Sequence, residues 1–118
     1  MNSVNMDRQT LLRIVKENKE KHIKAYLESV EDYKVAVIKV SQSNFKMAKT
    51  GLLEEFKFKA MPLMPTSYEG NYTKAIRMLE LSIDATIDVE EHIFNQLVLD
   101  EWGWKQQFTA LSTSYKTI

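Results

Sequence analysis

Cysteine is absent from the 118 residues, which excludes disulfides and thiolate metal sites and fits a reducing compartment. Glycine is nearly absent too: three scattered residues cannot build the phosphate cradles of Walker or Rossmann type, which need glycines at fixed spacings. No GxSxG-like elbow occurs, so an activated serine nucleophile has no frame. His22 and His92 are the two histidines, they fall in different predicted elements, and no HExxH spacing joins them. A zinc or iron site is therefore not expected. No apolar run approaches the length of a membrane span, and the opening MNSVNMDRQT lacks the apolar core of a secretory signal. A soluble, cytoplasmic, non-enzymatic chain is the resulting expectation.

What is present is helix. From Asp7 to about Lys49, Leu12, Val15, Tyr26, Val30, Tyr33, Val37, Val40 and Ala48 recur mostly at steps of three or four, the period of one helix face. No Gly or Pro interrupts the run, and Gly51 follows it, where a left-handed C-terminal cap is usual. Asp7 suits the N-cap, because a short carboxylate accepts the orphan N–H groups of a first turn. Roughly 40 residues make a rod of about 60 Å, against about 35 Å across for a compact monomer of this size. Such a rod bends or is covered by other subunits, which predicts an oligomer.

The remainder is shorter-ranged. Residues 52–59, Leu52-Leu53-Glu54-Glu55-Phe56-Lys57-Phe58-Lys59, alternate as one strand, to be paired by Ala85–Val89 or by another subunit's copy. Residues 60–70 form a loop bracketed by Pro62 and Pro65, read as a rigid connection that buries Leu63 and Met64; its PxxP spacing is too common to carry an inference. A helix over 71–83 shares a face through Tyr72, Ala75, Ile76, Leu79 and Ile83. Asp88 and Glu91 fit a capping box opening a helix over 88–101, buried through Ile93, Phe94, Leu97 and Val98. A C-terminal segment, 102–118, holds a further helical turn or two through Phe108 and Leu111. The fold class is mainly α (α+β), a single domain.

Charge sums to zero but is polarised. Residues 7–59 carry twelve Lys/Arg against eight Asp/Glu, and residues 60–118 carry four against eight. Between Arg77 and Lys105 no basic side chain occurs, while seven acids do. Either the acidic half docks on the basic helix, in the same chain or a neighbour, or the basic surface is left for an anion. General binding to duplex nucleic acid is disfavoured, since it needs a cationic surplus.

Two places invite a ligand. At 100° steps Lys19 falls within the apolar stripe of the long helix, with His22 on it and Asn18 at its border. The stripe thus turns polar and basic for one turn. Either Lys19 snorkels and His22 makes an ordinary hydrogen bond, or this turn lines a subunit-interface pocket for an anion. Trp102-Gly103-Trp104-Lys105 is the second place: a core plug, or flat rings beside a cation as nucleobase stacking requires. Tyr68 and Tyr72 could extend such a platform.

Tyr72-x-x-Ala75-Ile76-x-Met78-Leu79-Glu80-x-Ser82-x-Asp84-x-x-Ile87, Phe94-x-Gln96-x-Val98-x-Asp100-x-Trp102-x-Trp104-x-x-x-Phe108, and Glu17-Asn18-Lys19-x-x-His22 with Tyr33, resemble the motifs of a group of small phage-encoded proteins. The likeness runs from about Asn18 to Phe108 and departs most at the loop MPLMPTSYEGN. Through that group the chain resembles the phage anti-CBASS sponges, which sequester cyclic di- or trinucleotide defence signals without cleaving them. The resemblance implies a homo-oligomer, dimer or tetramer, in the infected bacterial cytoplasm. It further implies a ligand held between subunits, no metal and no cofactor. Such a ligand needs cations for phosphates and rings for bases. The candidates are Lys19, Arg77 and Lys105 for phosphates, and His22, Tyr72, Trp102 and Trp104 for bases. The alternative function is a helical oligomeric scaffold or inhibitor acting by protein–protein interaction.

Overall fold

The computed structural model describes residues 2–49, 58–99 and 104–115, with side chains described as far as Thr109. Six elements follow in order: β1 (Ser3–Asp7), α1 (Arg8–Lys49), α2 (Glu69–Leu81), β2 (Thr86–Glu90), α3 (Glu91–Leu97) and α4 (Trp104–Tyr115). The chain divides into two compact units: residues 1–25 with 66–105, and residues 26–65 with 106–118. The architecture is mainly helical with a small antiparallel sheet.

In the first unit, the start of α1 turns Leu11, Leu12 and Val15 into a core shared with Tyr72 and Leu79 of α2, Val89 of β2 and Leu97 of α3. The spacing of Leu11, Leu12 and Val15 places them on one face, as the periodicity requires. β1 and β2 pair antiparallel, with Val4 opposite Val89 and Met6 opposite Ile87. The ladder runs one bond further at each end, where Arg8 N–H donates to the Ala85 carbonyl and Glu91 N–H to that of Asn2 (2.9 and 3.1 Å). Asp7, the last residue of β1, also caps α1: its Oδ2 accepts the Thr10 backbone N–H and the Thr10 hydroxyl, each at 2.9 Å.

α1 also completes its neighbours. Helix C-termini leave carbonyls without partners and favour positive charge, yet α2 and α3 have no basic residue in their last turns. Arg8 Nη1 donates to the Leu79 carbonyl of α2 (2.9 Å), and its Nε to that of Asp84 (2.9 Å). Asn18 Nδ2 donates to the Leu97 and Val98 carbonyls at the end of α3 (2.8 and 3.1 Å). Lys16 reaches Glu80 at 3.5 Å, a pair about half exposed on both sides and so worth little on its own.

In the second unit, α1 buries Ser29, Ala36 and Val40, and the Tyr26 and Phe108 rings meet at 6.1 Å. Asn44 holds the chain at Lys59 by two bonds: its Nδ2 donates to the Lys59 carbonyl (3.1 Å), and its Oδ1 accepts the Lys59 N–H (2.9 Å).

Several boundaries differ from the sequence reading. Of the strand at 52–59, residues 52–57 lie outside the described residues, and Phe58 and Lys59 are not in a strand. The sheet pairs Thr86–Glu90 with the N-terminal Ser3–Asp7 instead. The loop ends at Tyr68, and it buries Pro62 and Pro65 while exposing Leu63 and Met64; a proline ring is apolar and has no N–H to satisfy. α2 ends at Leu81, where Ser82 turns extended, so Ile83 leaves the helical face and stands 96% exposed. Asp88 opens no helix: it is paired within β2 and accepts from Asn5 Nδ2 at 2.6 Å. α3 begins at Glu91 after Glu90, with no side-chain cap, and ends at Leu97.

Candidate functional site

The polar turn of α1 and Trp104 converge in the first unit. His22 is fully buried. Its ring centroid lies 4.9 Å from that of Trp104 in an edge-on arrangement, 5.6 Å from that of Tyr72 and 6.1 Å from that of Tyr68. His22 Nε2 accepts the Tyr68 backbone N–H at 2.8 Å, which serves the start of α2, where Tyr68 supplies no side-chain cap. Trp104 Nε1–H donates to the Tyr72 hydroxyl at 3.3 Å. Lys105, exposed, holds its ammonium 5.4 Å from the Trp104 ring centroid, within cation–π range.

Four of the seven candidate residues, His22, Tyr72, Trp104 and Lys105, therefore form one cluster. Lys19 is half-buried on α1 and Arg77 is exposed on α2; Trp102 lies outside the described residues. The rings of His22, Tyr72 and Trp104 are buried against one another, so a nucleobase would have to displace one of them to stack. As arranged, the cluster ties α1 to the start of α2 and to the start of α4. Of the turn that interrupts the apolar stripe, Asn18 and His22 direct their polarity to backbone groups of other segments, while Lys19, at its centre, is half-buried.

Sequence reasoning missed a second concavity. A groove of about 270 Å³ runs between α2 and β2, floored by Ala75, Leu79, Val89 and Ile93 and flanked by Met78 and Ile87. It adjoins a second hollow of about 400 Å³ that shares Met78, Leu79 and Ile87 and reaches Asp84. The rim is acidic: Asp84, Asp88 and Glu90 line these hollows, and among the described residues no Lys or Arg does. Met78 is 72% exposed, and Leu81, beyond it on α2, 77%. The signal was present in the sequence, as exposed-type positions of α2 occupied by Met and Leu beside a stretch of acids without bases. A third hollow, on α1 alone, is lined by charged residues with Gln9 and Leu12.

Among the described residues, no three His, Cys, Asp or Glu side chains converge as a metal site would need, and no helix is long and apolar enough to cross a membrane. No known protein family, curated protein or solved structure matches the chain.

Proposed function

We propose that this chain works by binding rather than by chemistry, and that its target is another protein. The observation that supports this is the α2–β2 groove, apolar on its floor and acidic on its rim. Apolar side chains gain about 25 cal/mol per Å² removed from water, so Met78, 72% exposed, favours an apolar segment laid across it. The carboxylates select its charge. The occupant is an amphipathic segment bearing Lys or Arg beside its apolar face, in the manner of helix-in-groove recognition. This makes the chain a scaffold or inhibitor.

The test uses fluorescently labelled amphipathic peptides of leucine with lysine, and matched peptides of leucine with glutamate. The lysine peptide binds, more weakly as salt rises, and Ile87→Asp or Met78→Asp weakens it at least tenfold. Equal binding of both peptides, or indifference to the substitutions, overturns the reading.

A second reading is sequestration of cyclic di- or trinucleotides, favoured by the meeting of His22, Tyr72, Trp104 and Lys105. It is tested by incubating the protein with a panel of such nucleotides, filtering, and heating the retained fraction. Depletion with release of intact ligand favours sequestration, and depletion with altered ligand means turnover. No depletion leaves the protein-binding reading alone.

A further inference from the structure

The second unit carries an apolar surface of its own. On α1, Leu27 is 60% exposed, Ile38 48% and Phe45 69%. At 100° per residue Ile38 falls about 20° from Leu27 and Phe45 falls in line with it. Ala36 and Val40, both fully buried, fall on the far side of the helix, at about 180° and 140° from that line. α1 thus has two apolar faces, one packed within its unit and one open. Lys34, exposed, interrupts the open face with an aliphatic stem that can lie along apolar neighbours.

From Glu28 to Lys49 the charges beside this stripe are sorted along it, with exposed Lys24 standing just before them on the same flank. Glu28 and Glu31 flank its Leu27 end, Lys46 and Lys49 its Phe45 end, and all four are exposed. They share one flank, since Glu31 and Lys49 fall about 40° from the stripe and Glu28 and Lys46 about 100°. From Lys34 to Lys49 the helix carries no acid at all. A second copy laid parallel, with its twofold along the helices, carries this flank to the opposite side of the seam, so Glu28 meets neither Glu28 nor Lys46 of the other copy. An antiparallel copy, related by a twofold axis level with Ala36, sets Leu27 against Phe45 and Glu28 beside Lys46, twice over. A twofold contact is self-complementary in this way, and opposed charges in register fix both partner and orientation.

We infer that two copies of this chain pair through antiparallel α1 helices across the face of Leu27, Ile38 and Phe45. This surface is separate from the α2–β2 groove, and neither depends on the other.

The chain has no cysteine, so introduced thiols report alone. Leu27→Cys and Phe45→Cys are made in separate chains, checked for unchanged helical circular dichroism, and oxidised singly and mixed. Phe45 follows Leu27 by 18 positions, about 27 Å along a helix, so neither variant cross-links with itself, while the mixture gives a disulfide dimer. Self-cross-linking of each variant means a parallel pair, and no cross-link in the mixture means another face; either result overturns the inference. Light-scattering mass, read across protein concentration, provides the second arm. Glu28→Lys or Lys46→Glu alone lowers the dimer fraction, and the double exchange restores it. Single exchanges without effect would sink the antiparallel register.

Discussion

Asp7 stands where β1 becomes α1 and serves both. The Thr10 backbone N–H, then the Thr10 hydroxyl, hold its carboxyl below the ordinary value of 3.8. The folded state therefore favours the carboxylate, and the contribution is complete above 3.8 and lost as pH falls through the lowered value. Asp7→Ala should destabilise the protein at pH 7, and the gap from the parent, measured by urea unfolding, should narrow below pH 4. A gap constant to pH 2 would show that charge plays no part in the cap. His22 acts by a different route. Its Nε2 takes the Tyr68 N–H beside a fully buried ring, and a buried donor stripped of its partner costs about 1–3 kcal/mol. His22→Leu keeps the bulk and removes the acceptor, so a loss of that size is expected in denaturant unfolding. Unchanged stability would mean that the ring is held by packing alone.

Between elements, Asn18 shows most directly how α1 organises the first unit. Only a donor suits two carbonyls, those of Leu97 and Val98, at a helix end that already bears partial negative charge. Asn18→Ala should cost about 1–3 kcal/mol. Asn18→Asp should cost more, because it sets an anion against those carbonyls in a buried site. Amide exchange over residues 91–98 should speed up in both variants, and an Asp variant as stable as the parent would remove the capping role. The same residue marks the limit of what a sequence discloses. The interruption of the stripe around Lys19 was legible, but the roles of Asn18 and His22 beside it were not, because the groups they serve lie some 46 to 80 residues away in the chain. α1 was legible almost to the residue, since 42 positions without Gly or Pro repeat one period many times. β1 offers only Val4 and Met6 in alternation, too few to signal a strand until Ile87 and Val89 lie opposite. At Asp88 two local signals competed, a capping box and a two-residue alternation, and tertiary pairing decided for the strand. The ring cluster was legible as a set of residue types, while its burial depended on how α1, α2 and α4 come together.

For the whole molecule, zero net charge conceals two units of opposite sign. The first carries nine Lys/Arg against eleven Asp/Glu and the second seven against five, with an isoelectric point near 6.7. Near that pH, net repulsion between molecules vanishes while opposite patches still attract. Apolar side chains on both units, Met78 and Leu81 on one and Leu27 and Phe45 on the other, offer a competing cause of association. Salt separates the two. Screening shortens the reach of charge from about 30 Å at 0.01 M to about 8 Å at 0.15 M, whereas sulfate strengthens apolar contacts. Light scattering at pH 6.7 should therefore fall when sodium chloride rises from 10 to 150 mM and rise again in molar ammonium sulfate. At pH 8.5, where the molecule is anionic, the low-salt excess should be smaller. A fall absent at pH 6.7 would mean that apolar contact alone drives association, and the charge sorting along α1 would then have no part in choosing the orientation of a second copy.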